Sequence, residues 1–460
     1  MEIKSLTIQQ ALAGYRQKQF TAVDVVSECL ENVRRYNKDY NVLLTVRDER
    51  ELIEEAKNVN YSLPLAGIPM VLKDLFSTDG VRTTAGSKVL ENYIPVFDAT
   101  VVRKLKAAGA IIIGKANQDA WGHGSSGENS DYGATKNPYD ASRVPGGSSS
   151  GSAAAVVLGM CLAATGTDTG SSVRLPAAFC NLVGLKPTYG RVSRYGIIAM
   201  ASSFDTIGHM TKTVYDNALI CEITAGKDPF DATTSDVPVQ KYTEKLNTSL
   251  RGLRIGIPKE YFEVQGIDPN VRAVTKEALK TLKEMGAEVM DISLPHTDVA
   301  MACYYVLVPS EISSNLARFD GIRFGNGRET FGSEAKRRMM MGTYALSSGY
   351  YDAYYKTATK VRSLIRRDFE NAFDQADVLL EPSSPTLPFK IGEKSNDPLA
   401  MYLSDIFVCP VNIAGVPALN VPCGLVDNLQ IGMQIIGPQW NEERLFTIGN
   451  AYEVYTRHRS

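Results

Sequence analysis

The sequence predicts an α/β protein built on a large mixed β-sheet with helices covering both faces. Three observations carry that expectation. Short apolar runs recur along the chain, among them Ile68-Pro69-Met70-Val71-Leu72, Ala110-Ile111-Ile112-Ile113 and Leu253-Arg254-Ile255-Gly256-Ile257-Pro258. Segments with helical spacing and capping residues lie between them. No internal repeat or low-complexity linker divides the chain. Alternation of this kind buries a sheet beneath helices.

The first 60 residues read as helical. Thr7 caps one helix with Gln10 three residues on, and Thr21 caps a second with Asp24 in its first turn. Val25, Val26, Cys29, Leu30 and Val33 then recur at helical spacing. A strand follows over residues 68–72. Asp98 is the expected cap of a helix over 99–108 that Gly109 stops, and 110–113 is a buried strand. Further on, the pattern gives a strand at 253–258, a helix near 270–285, and strands at 287–292, 378–380 and 418–422. Residues 323–332 are polar and glycine-rich, a surface loop. The expected division is an N-terminal helical segment, residues 1–65, packed on a single main domain, residues 66–460.

Composition narrows the function. The chain has 460 residues, 44% hydrophobic and 22% charged, enough for a large core. Its net charge of −2 offers no basic excess for direct nucleic-acid binding. Seven cysteines stand singly, without a C-x-x-C pair, which argues against a disulfide framework or a zinc site. No metal site is expected. The start lacks a basic-then-apolar leader, and the longest apolar run, residues 153–164, is too short to span a bilayer. A cytoplasmic protein without a membrane anchor is expected.

Two serine-rich stretches carry the chemistry. The first is Gly146-Gly147-Ser148-Ser149-Ser150-Gly151-Ser152, and the second is Gly166-Thr167-Asp168-Thr169-Gly170-Ser171-Ser172-Val173-Arg174. Hydroxyls among glycines, with backbone N–H groups free to converge, suit an oxyanion. A serine nucleophile also needs a base. Of the four histidines, His209, His296 and His458 are expected to be structural or solvated, and His123, in Gly122-His123-Gly124-Ser125-Ser126, is a candidate for lining a pocket. Residues 147–151 satisfy G-x-S-x-G with Ser149 at the centre. That elbow requires a buried strand before it, and residues 137–145 are polar and turn-rich. A phosphate loop is disfavoured because no Gly-Lys-Ser/Thr follows. Lys73, after Met70-Val71-Leu72, is the better base if burial lowers its pKa.

These stretches resemble the amidase signature family. Its pattern is Gly-Gly-Ser-Ser-Gly-Gly-Ser, then Asp-Thr-Gly-Gly-Ser-Ile-Arg, with an upstream lysine. Here 75 residues separate Lys73 from Ser148 and 24 separate Ser148 from Ser172, as in the family. The resemblance runs from Gly67 through Gly437 and implies the amidase signature fold. It also implies a Ser–cisSer–Lys triad: Ser172 the nucleophile, Ser148 the bridging serine with a cis peptide bond, and Lys73 the base. It places an oxyanion hole at the N–H groups of Thr169, Gly170, Ser171 and Ser172, worth about 3–4 kcal/mol per donor. Asp168 and Arg174 would brace the loops.

Three further stretches look like the glutaminase components of the tRNA-dependent amidotransferases within that family. They are residues 184–196, Asn315-Leu316-Ala317-Arg318-Phe319-Asp320-Gly321, and residues 345–355. The similarity implies a glutaminase that supplies ammonia to a partner, which amidates Glu-tRNA(Gln) or Asp-tRNA(Asn). The substrate-binding residues it implies are Arg338 for the α-carboxylate of glutamine, Asp405 for the α-ammonium, and Ser126. Arg337 is adjacent to the first, and alone both arginines read as solvated helix charges. Implied partners are GatB-like and GatC-like subunits, with misacylated tRNA met mainly through them. No cofactor is expected in this chain, and ATP and magnesium belong to the partner. Two alternatives stay open: a free-standing small-amide amidase, and a catalytically degenerate scaffold.

The chain departs from the family pattern at four places. Ser150, Ser171 and Asn181 stand where glycine is usual, and Leu75 where asparagine is usual. If residue 171 needs a positive φ, serine there carries about 1–2 kcal/mol of strain.

Overall fold

The computed structural model describes residues 3–246, 249–263, 266–323 and 325–457. His458 lies outside them. Eleven strands form one sheet: β1 (Leu43–Val46), β2 (Pro69–Lys73), β3 (Ile111–Ala116), β4 (Ala163–Asp168), β5 (Val183–Lys186), β6 (Thr206–Thr211), β7 (Arg254–Pro258), β8 (Glu288–Ile292), β9 (Val378–Pro382), β10 (Ala418–Val426) and β11 (Leu429–Ile436). Their order is β1-β3-β2-β4-β6-β5-β10-β11-β9-β7-β8. Pairing is mixed. β2 runs parallel to both β3 and β4, and β7 parallel to β8 and β9, while β6, β5, β10 and β11 form an antiparallel centre. The α/β class and the mixed sheet are as the sequence predicts.

Parallel strands flanked on both sides read as continuous apolar runs. Every residue of β2 and β3 is buried, including Lys73 and Lys115. β4, Ala-Ala-Thr-Gly-Thr-Asp, is small because its neighbours press close. A Cβ on Gly166 would sit 2.7 Å from Ser149 Oγ and 2.9 Å from Val173 Cγ2. That lack of room lets both serine-rich stretches settle directly over the strand.

Residues 1–65 hold the helices Ile8–Arg16, Ala22–Tyr40 and Glu49–Lys57. Thr7 with Gln10 and Thr21 with Asp24 form the two capping boxes. The segment is not helical throughout, because β1 pairs antiparallel with β3 and extends the sheet. Asp98 does not cap the next helix, Thr100–Ala107, whose N-cap is Ala99 with no side-chain bond. Its carboxylate instead accepts the Asp79 N–H at 2.8 Å and the Lys106 ammonium at 2.8 Å, a pull away from the helix end. Gly109 does end that helix, at φ +95°. The loop 323–332 includes a short turn of helix, Arg328–Thr330. Among the described residues, no helix is long and apolar enough to cross a membrane.

Candidate active site

The site gathers at the carboxyl ends of two interior strands, where β2 and β4 end side by side. Because they run parallel, Lys73 and Asp168 emerge together at their carboxyl ends. β6 runs antiparallel to β4, so its first residue, Thr206, lies opposite Asp168 and puts Asp205 beside them. The loop after β3 adds Asp119 from the other side.

Lys73 is fully buried. Its Nζ donates to Ser148 Oγ at 2.6 Å and to Thr167 Oγ1 at 3.0 Å. Burial pulls its pKa down to about 7, against the opposing pull of the Asp119, Asp168 and Asp205 carboxylates. Burial likewise pushes Asp119 and Asp205 up to about 6. The Gly147–Ser148 peptide bond is cis. Gly147 has no space for a side chain, since a Cβ would lie 2.1 Å from Asp119 Oδ2. Ser148 is held through its carbonyl, which accepts the Asp119 N–H at 3.1 Å.

Ser172 closes the turn between β4 and the helix Arg174–Phe179. Its carbonyl accepts the Ser149 N–H at 3.3 Å, which ties the two serine-rich stretches together. The N–H groups of Thr169, Gly170, Ser171 and Ser172 form no hydrogen bond among the described residues, whereas those of Val173 and Arg174 donate to Asp168 Oδ2. Four donors with no acceptor, bent around one turn, are the arrangement an oxyanion requires. The turn is braced underneath. Asp168 and Arg174 are a fully buried pair at 2.9 Å, and Arg174 also reaches the Gly170 and Val408 carbonyls, Asn412 Oδ1 and Gln434 Oε1. Burial alone would raise the Asp168 carboxyl, but Arg174, Lys186 and Asn412 together hold it below its ordinary value. Thr169 Oγ1 donates to Asp205 Oδ1 at 2.7 Å.

The other serines separate by geometry. Ser149 Oγ donates to the Thr167 carbonyl at 3.4 Å, under the loop. No strand precedes it; an irregular segment leads straight into the helix Ser150–Val157, as the rejection of the elbow motif expects. Ser150 and Ser171 both have ordinary φ, so the strain expected at residue 171 is absent. Ser150 fits because Gly127 faces it: a Cβ on Gly127 would meet Ser150 Cβ at 2.5 Å. Asn181 does take the left-handed conformation, φ +56°, which asparagine tolerates better than most residues.

A second cluster sits beyond Ser171, around Asp405, whose carboxyl the nearby Ser171 hydroxyl helps to hold down. Arg338 is buried while Arg337 is half-exposed, so the structure separates the two. Glu334, one turn earlier on the same helix, accepts Arg338 Nε at 2.8 Å. Tyr305 and Tyr402 stack at 3.9 Å, with the guanidinium 5.6 and 5.9 Å from their ring centres. Burial opposes the Arg338 charge, yet Tyr305, Glu334 and Tyr304 hold it above its ordinary value. Burial raises Asp405, opposed by Ser125, Ser171 and Arg338. Ser125 Oγ donates to Asp405 Oδ2, while the expected Ser126 accepts the Glu128 N–H at 3.3 Å. Asp405 Oδ1 and the Tyr305 hydroxyl are buried without a partner among the described residues.

No described histidine bonds either reacting serine. His209 pairs with Thr224 and His296 with Asp368. His123 is buried with both ring nitrogens unpartnered, lining a small cavity beside Glu334. Among the described residues, no group of three or more His, Cys, Asp or Glu is placed to hold a metal ion. Sequence reasoning missed Thr167, Ser125, Asp205, Glu334 and the three tyrosines. Thr167 and Ser125 stood inside stretches already singled out, and Glu334 stood four residues before Arg338 on a helix; Asp205 and the tyrosines left no signal.

The Amidase family model matches residues 24–446. The chain belongs to the amidase family. Among its relatives in that family, the A subunit of the Roseiflexus sp. (strain RS-1) glutamyl-tRNA(Gln) amidotransferase is 49% identical over 99% of this chain and 97% of the relative. The A subunit of the Geobacillus kaustophilus enzyme of the same name is 49% identical over 96% and 95%. The crystal structure of the A subunit of the Thermotoga maritima glutamyl-tRNA(Gln) amidotransferase superposes with a TM-score of 0.86 at 43% identity, covering 98% of this amidase-family chain and 94% of that one.

Proposed function

We propose that this chain is the glutamine-hydrolysing A subunit of a tRNA-dependent amidotransferase. The chemistry rests on one observation: a buried lysine with a pKa near 7, 2.6 Å from the Ser148 hydroxyl. Neutral Lys73 takes a proton from Ser148 as Ser148 takes one from Ser172. Ser172 Oγ attacks the side-chain carbonyl carbon of glutamine, and the N–H groups of residues 169–172 receive the oxyanion. The C–N bond breaks as the amide nitrogen takes a proton back through Ser148, which frees ammonia and leaves a glutamyl ester on Ser172. Water then hydrolyses the ester through the same relay.

Arg338 binds the substrate's α-carboxylate and Asp405 its α-ammonium, a reading supported by the buried charges and by the unpartnered Asp405 Oδ1. GatB-like and GatC-like subunits receive the ammonia, with ATP and magnesium used by the partner and misacylated tRNA bound mainly there. Seven free cysteines suit a cytoplasmic setting. Ser172→Ala should abolish glutamine-dependent amidation by the assembled complex and spare ammonia-dependent amidation. Full glutaminase activity in that variant would overturn the assignment, and turnover of simple amides by the isolated chain in preference to glutamine would favour a free-standing amidase.

A further inference from the structure

A cavity of about 690 Å³ is lined by Asn92, Tyr93 and Phe97 together with Arg318, Phe319, Arg323 and Gly325. That size suits a ligand or several side chains of a docked peptide. Its walls are largely apolar, with Tyr93, Phe97, Ile197 and Ile198 among them. At the rim, Ile94 is 56% exposed, Val96 88% and Ile322 86%. Apolar surface this bare beside a deep apolar pocket marks an interaction site. The loops are anchored in place. The Tyr93 carbonyl accepts the Thr83 N–H at 2.9 Å, the Pro95 carbonyl accepts the Gly80 N–H at 3.0 Å, and Asn326 N–H donates to the Val89 carbonyl at 2.7 Å.

The charged residues that line the pocket are basic, with the Asp320 and Glu91 carboxylates held beside them on Arg323 and Asn326. Its only charged lining residues, among those described, are Arg318 and Arg323. Arg318 is taken up by Asn315. The Arg323 guanidinium makes no hydrogen bond or ion pair among the described residues; only its backbone N–H is engaged, by Asp320. The bare aliphatic rim and a net charge of −2 favour polypeptide over nucleic acid.

The far wall of the pocket is the near wall of the active site. Phe319 packs on Trp121 with ring centres 4.9 Å apart. The next residue, Gly122, faces Ser148: a Cβ there would lie 3.7 Å from Ser148 Oγ and 3.4 Å from Met200 Sδ. Asn315 Nδ2 holds the Met200 carbonyl at 3.0 Å.

We propose that this pocket seats an extended, apolar, carboxylate-bearing segment of a partner protein in the complex, and that docking there fixes the active-site wall behind Ser148. The inference rests on the amidotransferase reading. The test uses the full chain with its GatB-like and GatC-like subunits. Replacing two of the three rim residues, Ile94→Asp with Val96→Asp, should weaken assembly by about 30-fold or more, with a smaller loss for Arg323→Glu. Melting temperature and glutamine turnover of the isolated chain should not change, and any stimulation of glutamine turnover on assembly should be lost. A photo-crosslinker at Val96 should capture an apolar, acidic peptide of one of those two subunits. Unchanged affinity in both variants, or a crosslink to tRNA instead, would overturn the proposal while leaving the amidotransferase reading intact. A wild-type chain that fails to assemble at all would overturn that reading and this inference with it. Should the double variant melt early, Arg323→Glu and the crosslink decide.

Discussion

The two ends of the site are built on opposite plans. At the proposed reacting end, Lys73 and the Ser172 turn sit on parallel strand ends with Ser148 on the irregular segment beside them, and side chains are locked: Lys73 Nζ by two hydroxyls, Asp168 by Arg174, Thr169 by Asp205. At the recognition end, Arg338 and Asp405 come from separate helical segments, and Asp405 Oδ1 and Tyr305 Oη are buried with nothing to bond among the described residues. Buried polar atoms without partners are costly, about 1–3 kcal/mol each, and these two lie where the proposed substrate's ammonium would bind. On the proposed reading, the first end is organised before substrate arrives and the second is completed by it.

Three measurements press on that contrast. The largest effect belongs to Lys73→Met, which keeps the bulk of the stem and removes the base. Glutamine turnover should fall about 10³- to 10⁴-fold with KM little changed. A variant that lost binding instead would place Lys73 in recognition. Next, Arg338→Gln should lower kcat/KM for glutamine about 10²-fold, mostly through KM, from the loss of a charge-assisted contact. Hydrolysis of a short aliphatic amide with no α-carboxylate should hardly change, and equal losses on both substrates would erase the division between the two ends. The smallest effect is with pH. Lysine is a base only when neutral, so activity must rise as pH climbs through the Lys73 pKa of about 7 and level off above it. Between pH 6 and pH 8, kcat/KM should increase about tenfold. A profile still climbing beyond pH 9 would mean an ordinary lysine.

The same contrast governs what the sequence disclosed. Strands β2, β3 and β7 to β10 are visible as apolar runs, and the capping boxes at Thr7 and Thr21 as short local patterns. β4 was hidden, because Ala-Ala-Thr-Gly-Thr-Asp carries little apolar bulk and owes its place to the crowding over Gly166. Lys73, Ser148 and Ser172 could be picked out because two motifs at fixed spacing point to them. Nothing local in residues 304–305 or residue 402 announces an aromatic clamp around Arg338, since those residues meet only once the helices pack. Asp98 shows the limit from the other side: a correct capping residue next to a real helix was drawn off by Lys106 and Asp79.

Arg174 has a bearing on how this protein is made. Its guanidinium joins the turn that carries Ser172 to Val408, Asn412 and Gln434, partners 234, 238 and 260 residues further along the chain. Until those residues have left the ribosome, Arg174 has its ion partner Asp168 but only part of its hydrogen-bond set, and each missing bond to the charged group forgoes about 1.5–3 kcal/mol. The donors around Ser172 therefore acquire their full set of braces only after Gln434 has been synthesised. A chain truncated before Gln434 would carry Lys73, Ser148 and Ser172 yet lack part of the brace beneath the turn that holds Ser172.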